Sequence, residues 1–164
     1  MITGIKHVGF GDDGAIEREI ETFCGKYAYA ELEHALVLSP DGHAYELAGT
    51  STNVDIGLVG KEALRGSRVI HNHPPKGKDS FSIEDFIEYF DKGILQMDVV
   101  SGDLYNKMQY KGEPVSPSKA FRLYKEAYLS VLQDAKDSDT PVGIERLEIM
   151  RQLAKDIKGM IFSE

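Results

Sequence analysis

The apolar patterns along this 164-residue chain predict an α/β sandwich: a mixed central sheet flanked by helices, closed by a C-terminal helical pair. Three observations carry that prediction. Ala35 to Ser39 and His43 to Leu47 are short apolar-rich runs joined by Pro40-Asp41-Gly42, which is the turn chemistry of a hairpin. Ser67 to Ile70 reads as a buried strand, and Ile94 to Ser101 turns through Gly102-Asp103 into Leu104 to Tyr110 as two more strands. Between them Ile83, Phe86, Ile87 and Phe90 fall at i, i+3, i+4 and i+7, one face of an amphipathic helix.

The remaining elements follow in order. Met1 to His7 is an opening segment without a clear pattern. Asp12 or Asp13 is placed to cap a helix whose apolar stripe is Ile16, Ile20 and Phe23, with Gly25 as its stop. Thr50 to Asn53 is a polar loop, and the glycines at 57, 60 and 66 leave the path through Val59 to Leu64 open. Ser116-Pro117 is an N-cap followed by proline at the first helical position, ahead of a stripe of Phe121, Tyr124, Tyr128 and Val131. Asp137 to Pro141 interrupts the pattern, and Ile144, Leu147, Met150, Leu153 and Ile157 mark a second helix. The chain thus divides into a site-bearing domain, 1–115, and a helical extension, 116–164, packed on the same domain. That pair either completes the core or offers a docking surface to a partner or a second subunit.

Composition narrows the function classes. With 41% hydrophobic residues the chain can bury one core. Its 27 acidic residues outnumber 19 basic ones, giving a net charge of −8 and no basic stripe for phosphates. Nucleic acid is therefore not an expected partner, with Lys76 and Lys78 the local exceptions. Cys24 stands alone, so no internal disulfide can form and a reducing, cytoplasmic compartment is expected. No signal peptide or membrane-spanning run is visible.

The chemistry concentrates in His71-Asn72-His73-Pro74 and Ser82-Ile83-Glu84-Asp85. Alternation along a strand puts Val69, His71 and His73 on one face, so both imidazoles point the same way. Pro74-Pro75 ends the strand because neither residue can donate a ladder hydrogen bond. Asp85 falls in the first turn of the next helix, within reach of the strand end. Two neutral imidazoles and one carboxylate leave a fourth tetrahedral position open, the pattern of a catalytic zinc site. Ser82-x-x-Asp85 also fits a helix capping box, which alone would account for both residues.

This arrangement resembles the metal signature of the JAMM metalloproteases, the catalytic form of the MPN (JAB) domain with its cytidine-deaminase-like sandwich. The Asn between the histidines is most similar to the RadC-like bacterial and phage branch. The resemblance covers roughly residues 12–111. It implies a zinc ion held by His71, His73 and Asp85, with Ser82 near the developing oxyanion. It further implies an upstream glutamate as general base, and Glu33, which opens Glu33-His34-Ala35-Leu36-Val37-Leu38, matches that position. Glu31 shares its strand parity and Glu46 is a third option, whereas His34 points to the opposite face. One departure is a segment from Pro75 to Phe81 that is one residue longer than the family's usual spacing. A surface loop absorbs such an insertion at little entropic cost. Ser80 then competes with Ser82, but Ser82 alone keeps the two-residue gap to Asp85; Asp79 or Glu84 in the third ligand position would overturn this reading of the loop.

The expected activity is zinc-dependent hydrolysis of a peptide or isopeptide bond, on a protein or peptide substrate presented as an extended segment. The resemblance allows removal of a ubiquitin-like modifier or processing of a protein tail. The acidic surface favours a neutral or basic tail, and the loop from Pro75 to Phe81 is the expected flap over it. Two rival readings stand beside this. One is a different metal-dependent hydrolase, disfavoured because only His7, His34 and His43 remain as further histidines. The other is a non-catalytic MPN-type scaffold, disfavoured because the ligand residues are all present.

Overall fold

The computed structural model describes residues 1–9, 13–75, 79–138 and 144–164. Asp12 as a cap, Lys76 and Lys78, most of the break after Asp137 and the centre of the expected flap lie outside the described residues.

The elements run β1 (Ile2–His7), α1 (Asp13–Tyr27), β2 (His34–Leu38) and β3 (His43–Ala48), then a 3-10 turn (Ile56–Val59), α2 (Lys61–Leu64), β4 (Arg68–Asn72) and α3 (Ile83–Asp91). They continue with β5 (Gln96–Ser101), β6 (Leu104–Tyr110), α4 (Pro117–Asp137), α5 (Arg146–Asp156) and β7 (Met160–Ser163). The strands form one mixed sheet in the order β1-β3-β2-β4-β5-β6-β7. Among the described residues only the β4–β5 pair is parallel, and α3 supplies the crossover that a parallel pair requires.

The central strands are buried on both faces, and their alternation sorts the core into two layers. Ala35, Val37, Val69, Met97 and Val99 face Phe81, Phe86, Tyr124, Met150 and Leu153. Leu36, Leu38, Ile70 and Val100 face Ile20 and Phe23 of α1. The larger layer lies under α3 and α4, so side chains on that face of β4 point toward the start of α3.

Helix α1 runs past the stop expected at Gly25 to Tyr27. A glycine inside a helix costs about 1 kcal/mol, which the buried Phe23 offsets, and Tyr27 is held by a stack on His34 at 3.9 Å. In α4 the buried stripe is Ala120, Tyr124, Ala127 and Val131. Phe121 and Tyr128, expected on the inner face, are 48% and 39% exposed. Small alanines allow close helix approach there, and the aromatic residues flank the seam instead.

Two strands were silent in the sequence. β1 has every residue exposed and so shows no alternation, yet it pairs with β3. β7 pairs with β6 after Gly159, whose φ of 91° turns the chain back, so the segment after Ser116 contributes to the sheet as well as two helices. Tyr124 Oη donates to Phe81 O at 2.8 Å, tying α4 to the segment that leads into α3. The return arm of the lengthened loop is not a surface feature: Ser80 and Phe81 are both fully buried. No helix among the described residues is long and apolar enough to cross a membrane.

Candidate metal centre

His71 pairs with Ala35 on one side and Val99 on the other, at the centre of the sheet. β4 ends at Asn72, but His73 N–H still donates to Val100 O at 2.9 Å, which carries the extended parity one residue further. Both imidazoles therefore face the larger core layer, 3% and 4% exposed. α3 brings the carboxylate. Ser82 Oγ accepts from Asp85 N–H at 3.1 Å, and Asp85 Oδ2 accepts from Ser82 N–H at 2.9 Å, so the capping box is complete. The same Asp85 Oδ2 lies 3.1 Å from His71 Nε2 and 3.2 Å from His73 Nε2. Capping and ligation are thus not alternatives; the cap aims the carboxylate.

His71, His73 and Asp85 can hold a metal ion. The two Nε2 atoms are 3.1 Å apart, closing a nearly equilateral triangle of donors. Tetrahedral bonds of about 2.0–2.1 Å place donor atoms roughly 3.3 Å apart, so this triangle is close to one face of a zinc shell. Two soft-to-borderline nitrogens with one oxygen also suit zinc better than magnesium or calcium, which prefer all-oxygen sets.

Electrostatics mark these groups as a cluster. Burial pushes the Asp85 carboxyl up, but the two histidines beside it outweigh that effect and hold it well below the usual range. Burial opposes charge on His73, yet Asp79 and Asp85 together push it up to about 10. Asp79 Oδ2 is 3.2 Å from His73 Nδ1, bent away from a straight hydrogen bond. With Nε2 turned to the donor triangle and Nδ1 to a carboxylate, His73 has the support that ligating histidines use to fix their tautomer.

The triangle opens into a cavity of about 670 Å³ whose lining includes Glu33, Ser82, Glu88 and Arg146. Glu33 is 9% exposed, and its carboxyl is raised first by burial, against the pull of His73 and His71. The other two glutamates considered for that role lie elsewhere. Glu31 is exposed and outside the lining. Glu46 sits on the α1 side, where Tyr27 Oη donates to its carboxylate. Ser82 lines the cavity; its oxygen is used by the cap, which leaves its O–H free to donate. Ser80 is fully buried and not part of the lining.

Glu88 and Arg146 were not legible as site residues, and Asp79 was weighed as a rival third ligand rather than as the carboxylate behind His73. Asp79 belongs to the irregular segment before Ser82, and Arg146 begins a helix far along the chain, so no local spacing ties either to the His-x-His pair. Glu88 had a usable signal, since Asp85 and Glu88 at i, i+3 share a helix face.

Fold and site together define an α/β protein with a mixed seven-stranded sheet and a buried two-histidine, one-carboxylate cluster able to hold a metal ion. No family model, curated protein or solved structure matches the chain.

Proposed function

We propose that the protein is a zinc-dependent hydrolase of peptide or isopeptide bonds, of the kind the JAMM resemblance implies. The supporting observation is the donor triangle of His71, His73 and Asp85, with sides of 3.1–3.2 Å, in the wall of a cavity that Glu33 and Ser82 also line.

His71, His73 and Asp85 would hold a zinc ion there, and that ion would supply Lewis acidity and lower the pKa of a nearby water toward 7. The histidines would bind it through Nε2, and Asp85 through the oxygen that its cap already orients. Glu33 takes a proton from the attacking water as the C–O bond forms, and then delivers it to the leaving amine nitrogen as the C–N bond breaks. The Ser82 hydroxyl donates to the oxygen of the tetrahedral carbon as its charge develops. The low exposure of Glu33 and both histidines excludes bulk water from these charges.

The test is metal analysis of the purified protein and its His73→Ala variant, followed by incubation with extended peptides and isopeptide-linked conjugates. One zinc per chain, lost in the variant, with cleavage only by the parent, is the expected result. Full zinc occupancy without cleavage of any substrate class, together with tight binding of an intact partner, would replace this reading with a scaffold.

A further inference from the structure

Between the two ligating histidines lies a residue that cannot be a ligand. Asn72 is fully buried, and its parity directs it away from His71 and His73. Its carboxamide reaches across to the chain entering β2. Asn72 Oδ1 accepts from His34 N–H at 2.6 Å, and Asn72 Nδ2 donates to Leu32 O at 2.9 Å. These two groups flank Glu33 on either side.

The register shows what this replaces. β2 and β4 pair as Leu38↔Arg68, Leu36↔Ile70 and Ala35↔His71, and there the regular ladder stops. One step further His34 comes opposite Asn72, and the N–H that would continue a main-chain ladder is taken by the Asn side chain. On its other edge Glu33 is tied by its own backbone: Glu33 N–H donates to Thr50 O at 2.7 Å, and Gly49 N–H donates to Glu33 O at 2.8 Å. Glu33 is therefore held from both flanks, and the β4 flank depends on one side chain. Serving Leu32 O and His34 N–H together takes one donor and one acceptor on a single planar group. Among side chains of this size only a carboxamide supplies both, since a carboxylate would set a second acceptor against Leu32 O.

We propose that Asn72 is a positioning residue for Glu33: it anchors the strand entry so that the Glu33 carboxylate faces the donor triangle. The inference rests on the metal-hydrolase reading. It also makes the middle residue of His71-Asn72-His73 part of the chemistry while leaving it out of the metal shell.

The test uses cobalt(II) in the full chain, with NMR detection of the Glu33 side chain and the two histidine rings. In the parent, Glu33 and both rings should carry large paramagnetic shifts. In Asn72→Asp, which keeps the shape, and in Asn72→Ala, the ring shifts should persist while the Glu33 shift falls by at least about half. Turnover should fall about 10- to 100-fold in kcat with KM little changed, as expected for a misplaced reacting group. Unchanged Glu33 shifts in both variants would overturn the assignment of Asn72. Failure of the parent to bind cobalt would instead remove the metal reading beneath it, and a parent that binds cobalt without shifting Glu33 would remove Glu33.

Discussion

Arg146 Nη1 lies 3.3 Å from Asp79 Oδ1, while the other oxygen of the same carboxylate faces His73. The first residue of α5 thus supports a candidate metal ligand through one intermediate. An outer carboxylate of this kind typically carries a 10- to 100-fold effect on metal affinity. Asp79→Asn should therefore weaken zinc binding by about that factor, and Arg146→Met by less, because Ser80 N–H also holds Asp79 at 2.9 Å. Competition titration with a chromophoric chelator measures both. Equal affinity in parent and Asp79→Asn would mean that His73 is oriented by packing alone.

How much of this was legible follows from where each signal resides. Strand parity placed His71 and His73 on one face because β4 is regular, and the Ser82 cap placed Asp85 because capping is a local interaction. The hairpin and the α3 stripe were visible for the same reason. β1 was silent because an edge strand exposed on both faces has no alternation, and β7 because four residues are too few for a period. Phe121 and Tyr128 looked like core because they are apolar, yet packing selected the smaller Ala120 and Ala127 for the seam. Asp79 and Arg146 meet only through tertiary structure, 67 positions apart in sequence.

Gly49 marks a second constraint on the site. A Cβ placed there would lie 2.1 Å from Asn53 O and 2.7 Å from the Val54 Cα, far inside contact distance with backbone on both counts. The chain closes here because Thr50 N–H donates to Asn53 O at 2.8 Å, which turns Ser51 to Asn53 over the cavity. Gly49→Ala must push that loop aside and should destabilise the protein by about 2–4 kcal/mol, in the range of overpacking and backbone strain. Urea unfolding would show it. A loss below about 0.5 kcal/mol would mean that the loop relocates freely.

The three glutamates separate cleanly by variant. Glu33→Gln should retain one zinc per chain and the parent's unfolding midpoint within a few degrees, yet lose hydrolysis, because an amide cannot shuttle a proton. Glu31→Gln should change neither, being exposed and outside the cavity. Glu46→Gln should weaken the tie to Tyr27 at a cost of about 1 kcal/mol and spare activity. Retained hydrolysis in Glu33→Gln would require another base.

Glu88 gives a prediction in pH. It lies one turn beyond Asp85 on α3, and its carboxyl is pushed up to about 7, first by burial and then by the Asp85 charge, with His71 and Lys92 pulling the other way and Asp55 adding to the rise. In the unfolded chain the same group titrates near its ordinary value of 4.5. Between the two values the folded state binds a proton that the unfolded state does not, so this contribution to stability falls as pH rises through that window and stays low above it. Glu88→Gln is neutral throughout and escapes the loss. In chelator-stripped protein the variant should match the parent at pH 4.5 and exceed it at pH 8 by about 1–2 kcal/mol, allowing for solvent screening of a partly exposed group. Urea unfolding of both proteins at pH 4.5, 6 and 8 measures the gap directly. A gap that stays constant across those three values would show that Glu88 is solvated and that the cavity does not desolvate its wall.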